Sequence, residues 1–176
     1  MHVAYVHSDS KHEYNSGEWR VTLPYLALQR SRRHRAVIVT LPEFADCHPI
    51  TVRLIEPADV LVIQRNAVGE ILPAIQYWRS RGKTVVVDVD DAYEHLDPTN
   101  AAWRFWLNGE HGGRKIDPLP VVQLRQAMSM ASGVTAPAPW LVNDYAAHNA
   151  RLLPNYTDTS LYRMREPRND GEVRVL

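Results

Sequence analysis

The chain has little cysteine, no excess charge of either sign and no long apolar run, and each shortage excludes a class of protein. Its single cysteine, Cys47, has no second thiol with which to close an internal disulfide. It also belongs to no Cys-Xaa-Xaa-Cys metal or redox motif. A reducing compartment, the cytoplasm, is the expected location. Twenty Lys and Arg balance twenty Asp and Glu, which removes the global attraction expected of a nucleic-acid binder. No stretch approaches the roughly 18 uninterrupted apolar residues of a membrane span. The start, Met1-His2-Val3-Ala4-Tyr5-Val6-His7, lacks the basic flank and long apolar segment of a signal peptide. Peripheral contact with a membrane stays open. The eight histidines fall into no His-Glu-Xaa-Xaa-His pattern or other tight ligand spacing, so no bound metal is expected. Internal repeats and low-complexity tracts are also missing.

What is present is alternation. At 176 residues and 45% apolar content, the chain is one domain, or one domain with a remnant of a second. Strand-like apolar runs cover 3–7, 36–40, 60–63 and 84–89, with weaker ones at 133–136 and 151–153. Helical stretches lie between them at 17–30, 67–81, 118–132 and 139–147. Pro24 inside the first predicts a kink or a late start, and Gly82 and Gly133 stop the second and third. Strands alternating with helices predict βαβ units and an α/β, Rossmann-like parallel sheet flanked by helices. Two regions depart from the pattern. Segment 97–118, with Trp103, Phe105 and Trp106 before Gly109, Gly112 and Gly113, reads as a short aromatic helix and a mobile loop: a lid, a partner surface or a plain cover for the sheet. The polar stretch 165–171 followed by Glu172-Val173-Arg174-Val175-Leu176 reads as a linker and an opening strand.

The most informative run is Thr84-Val85-Val86-Val87-Asp88-Val89-Asp90-Asp91. Its apolar part suits a strand buried on both faces. Carboxylates are rarely tolerated inside such a sheet unless paired. They are therefore expected at its carboxyl edge, where open α/β sheets place ligands. Asp88 and Asp90 share one face of an extended chain. The plainer alternative is that the acids cap the following turn.

Several pieces, taken in order, resemble the N-terminal domain of GT-B glycosyltransferases, particularly retaining bacterial and phage enzymes. Ser16-Gly17-Glu18-Trp19-Arg20-Val21-Thr22-Leu23-Pro24 resembles their small-residue loop and first helix. Asp59-Val60-Leu61-Val62-Ile63-Gln64-Arg65 is similar to their third strand, and the run from Gly82 to Asp91 to the strand that ends in acids. Asp97-Pro98-Thr99-Asn100 matches a short Pro-Asn segment, and Ala131-Ser132-Gly133-Val134-Thr135-Ala136-Pro137-Ala138 a later strand. There, Ala136-Pro137-Ala138 replaces small hydroxyl residues. Leu153-Pro154-Asn155-Tyr156-Thr157-Asp158 is similar to the hinge signature before the second domain.

The resemblance implies the N-terminal half of a GT-B architecture. Residues 1–164 would form the acceptor-side domain, and 165–176 a linker and the start of a missing second domain. The implied function is transfer of a sugar, with retention, from a nucleotide sugar to a carbohydrate or glycosylated acceptor. No cofactor is implied beyond that donor, which the second domain would bind, so the 176-residue chain alone is expected to be inactive.

Such chemistry requires the leaving diphosphate to be stabilised, the acceptor hydroxyl to be oriented and its proton to be accepted. Asp90 and Asp91 are the candidate catalytic acids, because carboxylates accept hydrogen bonds from acceptor hydroxyls. Gly17 would let backbone N–H groups approach a phosphate or sugar, and Arg20, one turn on, would reach the same cleft. Arg65 would bind an anionic group or pair with Asp88 or Asp91. Asp88 and His95 complete the substrate-binding set. The basic cluster Arg30, Arg32, Arg33, His34, Arg35 suits either anionic lipid or plain compensation of a helix C-terminus.

Two other classes compete. Val85-Val86-Val87-Asp88-Val89-Asp90 also matches a haloacid-dehalogenase-like phosphatase, with Asp88 as nucleophile and Asp90 as acid. Against it, the strand comes fourth rather than first, and no later acidic pair follows an apolar strand to hold magnesium. The other alternative is a non-catalytic binding or scaffold module derived from a glycosyltransferase.

Overall fold

Runs rich in Val, Ile and Leu, each followed by a helix, leave the chain no choice but parallel pairing with crossovers. In the computed structural model, which describes residues 1–9 and 16–157, they form the strands β1 (His2–His7), β2 (Arg35–Thr40), β3 (Val60–Gln64) and β4 (Thr84–Asp88). A two-stranded hairpin, β5 (Glu110–His111) and β6 (Arg114–Lys115), follows, and then β7 (Gly133–Ala136) and β8 (Ala150–Leu152). The six long-range strands make one all-parallel sheet in the order β2-β1-β3-β4-β7-β8. The Rossmann-like α/β expectation holds, and each predicted strand lies within a residue or two of its expected span. The proposed boundary at 164 and the linker 165–176 lie outside the described residues.

Helices α1 (Leu23–Ser31), α4 (Ile71–Ser80), α6 (Pro120–Met130) and α7 (Pro139–Asp144) occupy the predicted helical stretches. Two short helices, α2 (Leu41–Ala45) and α3 (Pro49–Ile55), have no counterpart in the sequence reading. Each is too brief to show a helical period. A local signal was present, however: Thr40-Leu41-Pro42-Glu43 has capping-box spacing, and Glu43 Oε2 accepts the Thr40 hydroxyl at 2.7 Å. The kink expected at Pro24 becomes a change of helix type. Residues Glu18–Thr22 form a π-helical turn, and α1 begins beside it with Pro24 in its first turn, where a missing N–H costs nothing.

The sheet is covered unequally. Only the β1-to-β2 connection runs toward one edge; the other connections between sheet strands run toward the other edge. Right-handed crossovers therefore put α1 on one face and its counterparts on the other. The packing agrees. Val21, Tyr25 and Leu28 meet Val3, Tyr5 and Ala36 in a small cluster. On the opposite face Phe44, Ile55, Ile75, Trp78, Leu124 and Met128 cover Ala4, Val6, Leu61, Ile63, Val85 and Val87 in the main core. Val62 and Val86, on the α1 side, are only half-buried.

Segment 97–118 is a cover rather than a loose lid. Helix α5 (Trp103–Trp106) buries Trp106, which stacks on Tyr93 with ring centroids 4.1 Å apart, and Gly112 and Gly113 form the turn of the β5–β6 hairpin, with Gly109 just before it.

The unequal cover makes a prediction within one strand. Val87→Ala should cost about 2 kcal/mol and Val86→Ala about 1 kcal/mol or less, because only Val87 is fully enclosed. Urea unfolding of the two variants checks it; equal losses would mean that both faces are equally closed.

Candidate active site

The reversal of strand order at β1 opens a crevice at the carboxyl edge, where β1 and β3 lie side by side but their connections leave in opposite directions. Open α/β sheets bind ligands at such switch points. His7-Ser8-Asp9 leave β1 here, Gln64-Arg65 leave β3, and Asp88-Val89-Asp90 leave β4. Gln64 and Asp88 are register partners.

Asp88 sits beneath this edge, fully buried, and faces an equally buried arginine. Arg20 Nε donates to Asp88 Oδ2 at 2.9 Å and its Nη2 to Oδ1. The Thr135 hydroxyl also donates to Oδ1, at 2.5 Å. Arg20 Nη1 continues to the Leu153 carbonyl at 2.5 Å and Asn155 Oδ1 at 3.0 Å. Four of the five guanidinium donors are thus used. Burial pushes the Asp88 carboxyl above its ordinary range; Arg20 and Thr135 pull it back. The π-helical turn presents Arg20 and Val21, consecutive in sequence, both to the interior.

Above the pair lies a second, more open network. Arg65 donates through Nη2 to Asp9 Oδ1 and through Nη1 to Ser16 Oγ at 3.0 Å. Its Nη1 is 3.6 Å from Asp90 Oδ2. Gln64 Nε2 donates to Asp9 Oδ2 at 2.7 Å. The Tyr93 hydroxyl donates to Asp90 Oδ1. Burial, followed by the Asp90 charge, raises the Tyr93 phenol well above its usual range, so it stays a donor. Asp90 is thereby fixed through Oδ1, while Oδ2 is turned to Arg65; its side chain is 12% exposed and that of Arg65 28%. Arg65 adopts φ +35°, a left-handed conformation that costs on the order of 1–2 kcal/mol for a residue with a Cβ. Its N–H bonded to the Asp88 carbonyl at 2.8 Å holds it there.

Several sequence expectations are corrected by this geometry. Arg20 and Asp88 do not line a cleft; they form a buried ion pair. Gly17 offers no N–H to a ligand, because that group donates to Asp9 Oδ2 at 2.8 Å. The glycine is needed for another reason: a Cβ there would lie 2.1 Å from His7 Nε2. Arg65 pairs with Asp9 and Asp90 rather than with Asp88 or Asp91. Asp91 is exposed, and its Oδ1 accepts the N–H of the adjacent Ala92 at 2.8 Å, a local bond that does not cap the 3-10 turn after it. His95 lies exposed in a 3-10 turn (Tyr93–His95), and its ring takes no part in the network. Asp90 and Arg65 remain together at the crevice, as expected. Asp9, Ser16, Thr135, Asn155 and Tyr93 had not been singled out; Asp9, two residues past the end of β1, was the one legible from topology alone.

The chain matches no family model, no curated protein and no solved structure. The site must therefore be read from its own chemistry. Among the described residues no three His, Cys, Asp or Glu side chains converge as a metal-binding group, and no helix is long and apolar enough to cross a membrane. The described network carries two guanidinium groups against the three carboxylates Asp9, Asp88 and Asp90, one excess negative charge with His7 neutral. Such a site suits neutral hydroxyl donors better than an added anion. Beside it, on the Arg20 side, a groove of about 470 Å³ is lined by Tyr5, Trp19, Leu23, Leu153, Pro154 and Tyr156, among others.

The two layers should separate by stability. Asp88→Asn leaves a buried guanidinium without its counter-charge and should cost about 3–5 kcal/mol. Asp90→Asn keeps its partners and should stay within about 1 kcal/mol of the parent. Denaturant titration reads both; an Asp88→Asn protein as stable as the parent would remove the ion pair from its structural role.

Proposed function

We propose that this domain is the acceptor-binding half of a GT-B-type glycosyltransferase, with Asp90 and Arg65 at the switch-point crevice as its working pair. The observation that carries the reading is the Asp90 carboxylate. It is pinned through Oδ1 by Tyr93, lies 3.6 Å through Oδ2 from Arg65 Nη1, stays partly exposed, and sits on the edge where such sheets bind ligands. An acceptor hydroxyl would donate to Oδ2 and be oriented by it. Arg65, fixed by Asp9 and Ser16, would hold the carboxylate's position and hydrogen-bond a neighbouring acceptor oxygen. Trp19 and Tyr156 in the adjoining groove supply aromatic faces for a sugar ring or an apolar aglycone. The nucleotide-sugar donor would come from a second domain facing this edge. In the retaining reaction that the resemblance implies, the leaving phosphate takes the acceptor proton, so no protein base is required.

The phosphatase alternative places the nucleophile at Asp88. That carboxylate is fully buried, and both of its oxygens are occupied by Arg20 and Thr135. It cannot approach a phosphorus atom without dismantling the ion pair.

Saturation-transfer NMR of the 176-residue chain with a panel of mono- and oligosaccharides, and calorimetry with nucleotide sugars, form the test. Saccharide binding by the parent is expected, and its abolition in Asp90→Asn and in Arg65→Ala, in proteins that melt like the parent. Nucleotide-sugar binding near 1 μM, about −8 kcal/mol, would make this the donor half. Hydrolysis of a generic phosphate ester that disappears in Asp88→Asn would replace the reading with the phosphatase.

A further inference from the structure

The opposite edge of the sheet carries a second cluster that the crevice does not use. Here α1 turns into β2 beside the start of β1. A depression of about 290 Å³ is lined by Met1, His2, Arg32, Arg33, His34, Arg35 and Asp59. Arg32, Arg33 and Arg35 are exposed and make no ion pair with a described residue. Asp59, the one carboxylate in the lining, accepts the His2 N–H at 2.7 Å and lies 4.0 Å from the Met1 amino group. Two imidazole nitrogens here, His2 Nε2 and His34 Nδ1, are buried without any hydrogen-bond partner. Native structures rarely leave such atoms unsatisfied.

Compensation of the α1 dipole does not account for this arrangement. That effect fades within a turn of the helix end, whereas Arg35 begins the next strand and His2 comes from another. Arg32 makes the same point through the backbone. It caps α1 at φ +53°, the left-handed position that helices usually give to glycine or asparagine. A charged side chain stands where a smaller residue would be easier to accommodate.

We propose that this depression is a binding site for a phosphate monoester group, carried either by a soluble metabolite or by an anionic lipid headgroup. Three guanidinium forks, each able to donate two parallel hydrogen bonds, match the several acceptor oxygens of a doubly charged phosphate. His2 and His34 share the lining, so their rings report on what enters the depression. The site is distinct from the crevice, where the described network has the opposite charge excess.

The test follows the His2 and His34 ring resonances of the 176-residue chain during titration with inorganic phosphate, with ionic strength held constant by sodium chloride. Saturable shifts are expected, with affinity at least about tenfold weaker in the Arg33→Gln/Arg35→Gln variant. Arg32→Gly should also weaken binding while melting at or above the parent temperature, because glycine suits the left-handed cap. Co-sedimentation with phosphatidylcholine vesicles, with and without phosphatidic acid, separates the sources. Pelleting only with phosphatidic acid assigns the lipid headgroup; phosphate binding without pelleting assigns the soluble ester. The proposal is overturned if neither phosphate nor phosphatidic acid binds, if the shifts follow ionic strength alone, or if the Arg32→Gly and Arg33→Gln/Arg35→Gln proteins titrate like the parent.

Discussion

Arg20 and Asp88 are 68 residues apart in sequence and meet with both side chains fully buried. Withdrawing either charge from water costs several kcal/mol. The arrangement persists because nearly every donor and acceptor of the pair is used. Asp88 takes the guanidinium fork and the Thr135 hydroxyl, and Arg20 goes on to Leu153 and Asn155. Distant segments are tied by this one contact: the π-helical turn before α1, the end of β4, β7, and the chain at 153 and 155 beyond β8. The crevice floor is therefore set by electrostatics as much as by sheet pairing.

That floor positions the open network above it. The Asp88 carbonyl accepts the Arg65 N–H, which holds Arg65 in its left-handed conformation and turns its side chain toward Asp9, Ser16 and Asp90. Gly17 allows the helix to approach His7 closely enough for its N–H to reach Asp9. Asp90, two residues beyond Asp88, escapes the buried layer and is oriented by Tyr93, which in turn stacks on Trp106. Acids that look equivalent in sequence thus divide three ways: a buried partner of Arg20, a partly exposed carboxylate at the sheet edge beside Arg65, and an exposed carboxylate bonded only to the next amide.

The two edges of the sheet differ in character for reasons of topology. All six strands run the same way, so every strand end with polar chemistry collects at one edge and every strand start at the other. The carboxyl edge gathers Asp9, Gln64, Arg65, Asp88 and Asp90. The amino edge gathers His2, Arg35 and the arginines of the α1–β2 turn. Zero formal charge over the chain hides, among the described residues, an excess of carboxylates at one edge and of guanidinium groups at the other.

The order of strands and helices was legible in the sequence because apolar runs, helix stops at Gly82 and Gly133, and Pro24 act locally, through backbone sterics and burial. The same holds for placing the 88–91 acids at a strand end, since a carboxylate cannot continue into a dry sheet unpaired. Helices α2 and α3 escaped notice because five and seven residues are too few to display a period. What each acid does was decided only by tertiary structure. Whether Asp88 meets solvent or Arg20 depends on a helix 68 positions away, and whether Arg65 pairs with Asp9 or Asp88 depends on which strand lies beside β3. Sequence sets the local preferences of a residue; its electrostatic partner is set by strand order and by the π-helical turn that swings Arg20 inward, neither of which leaves a periodic trace in the chain.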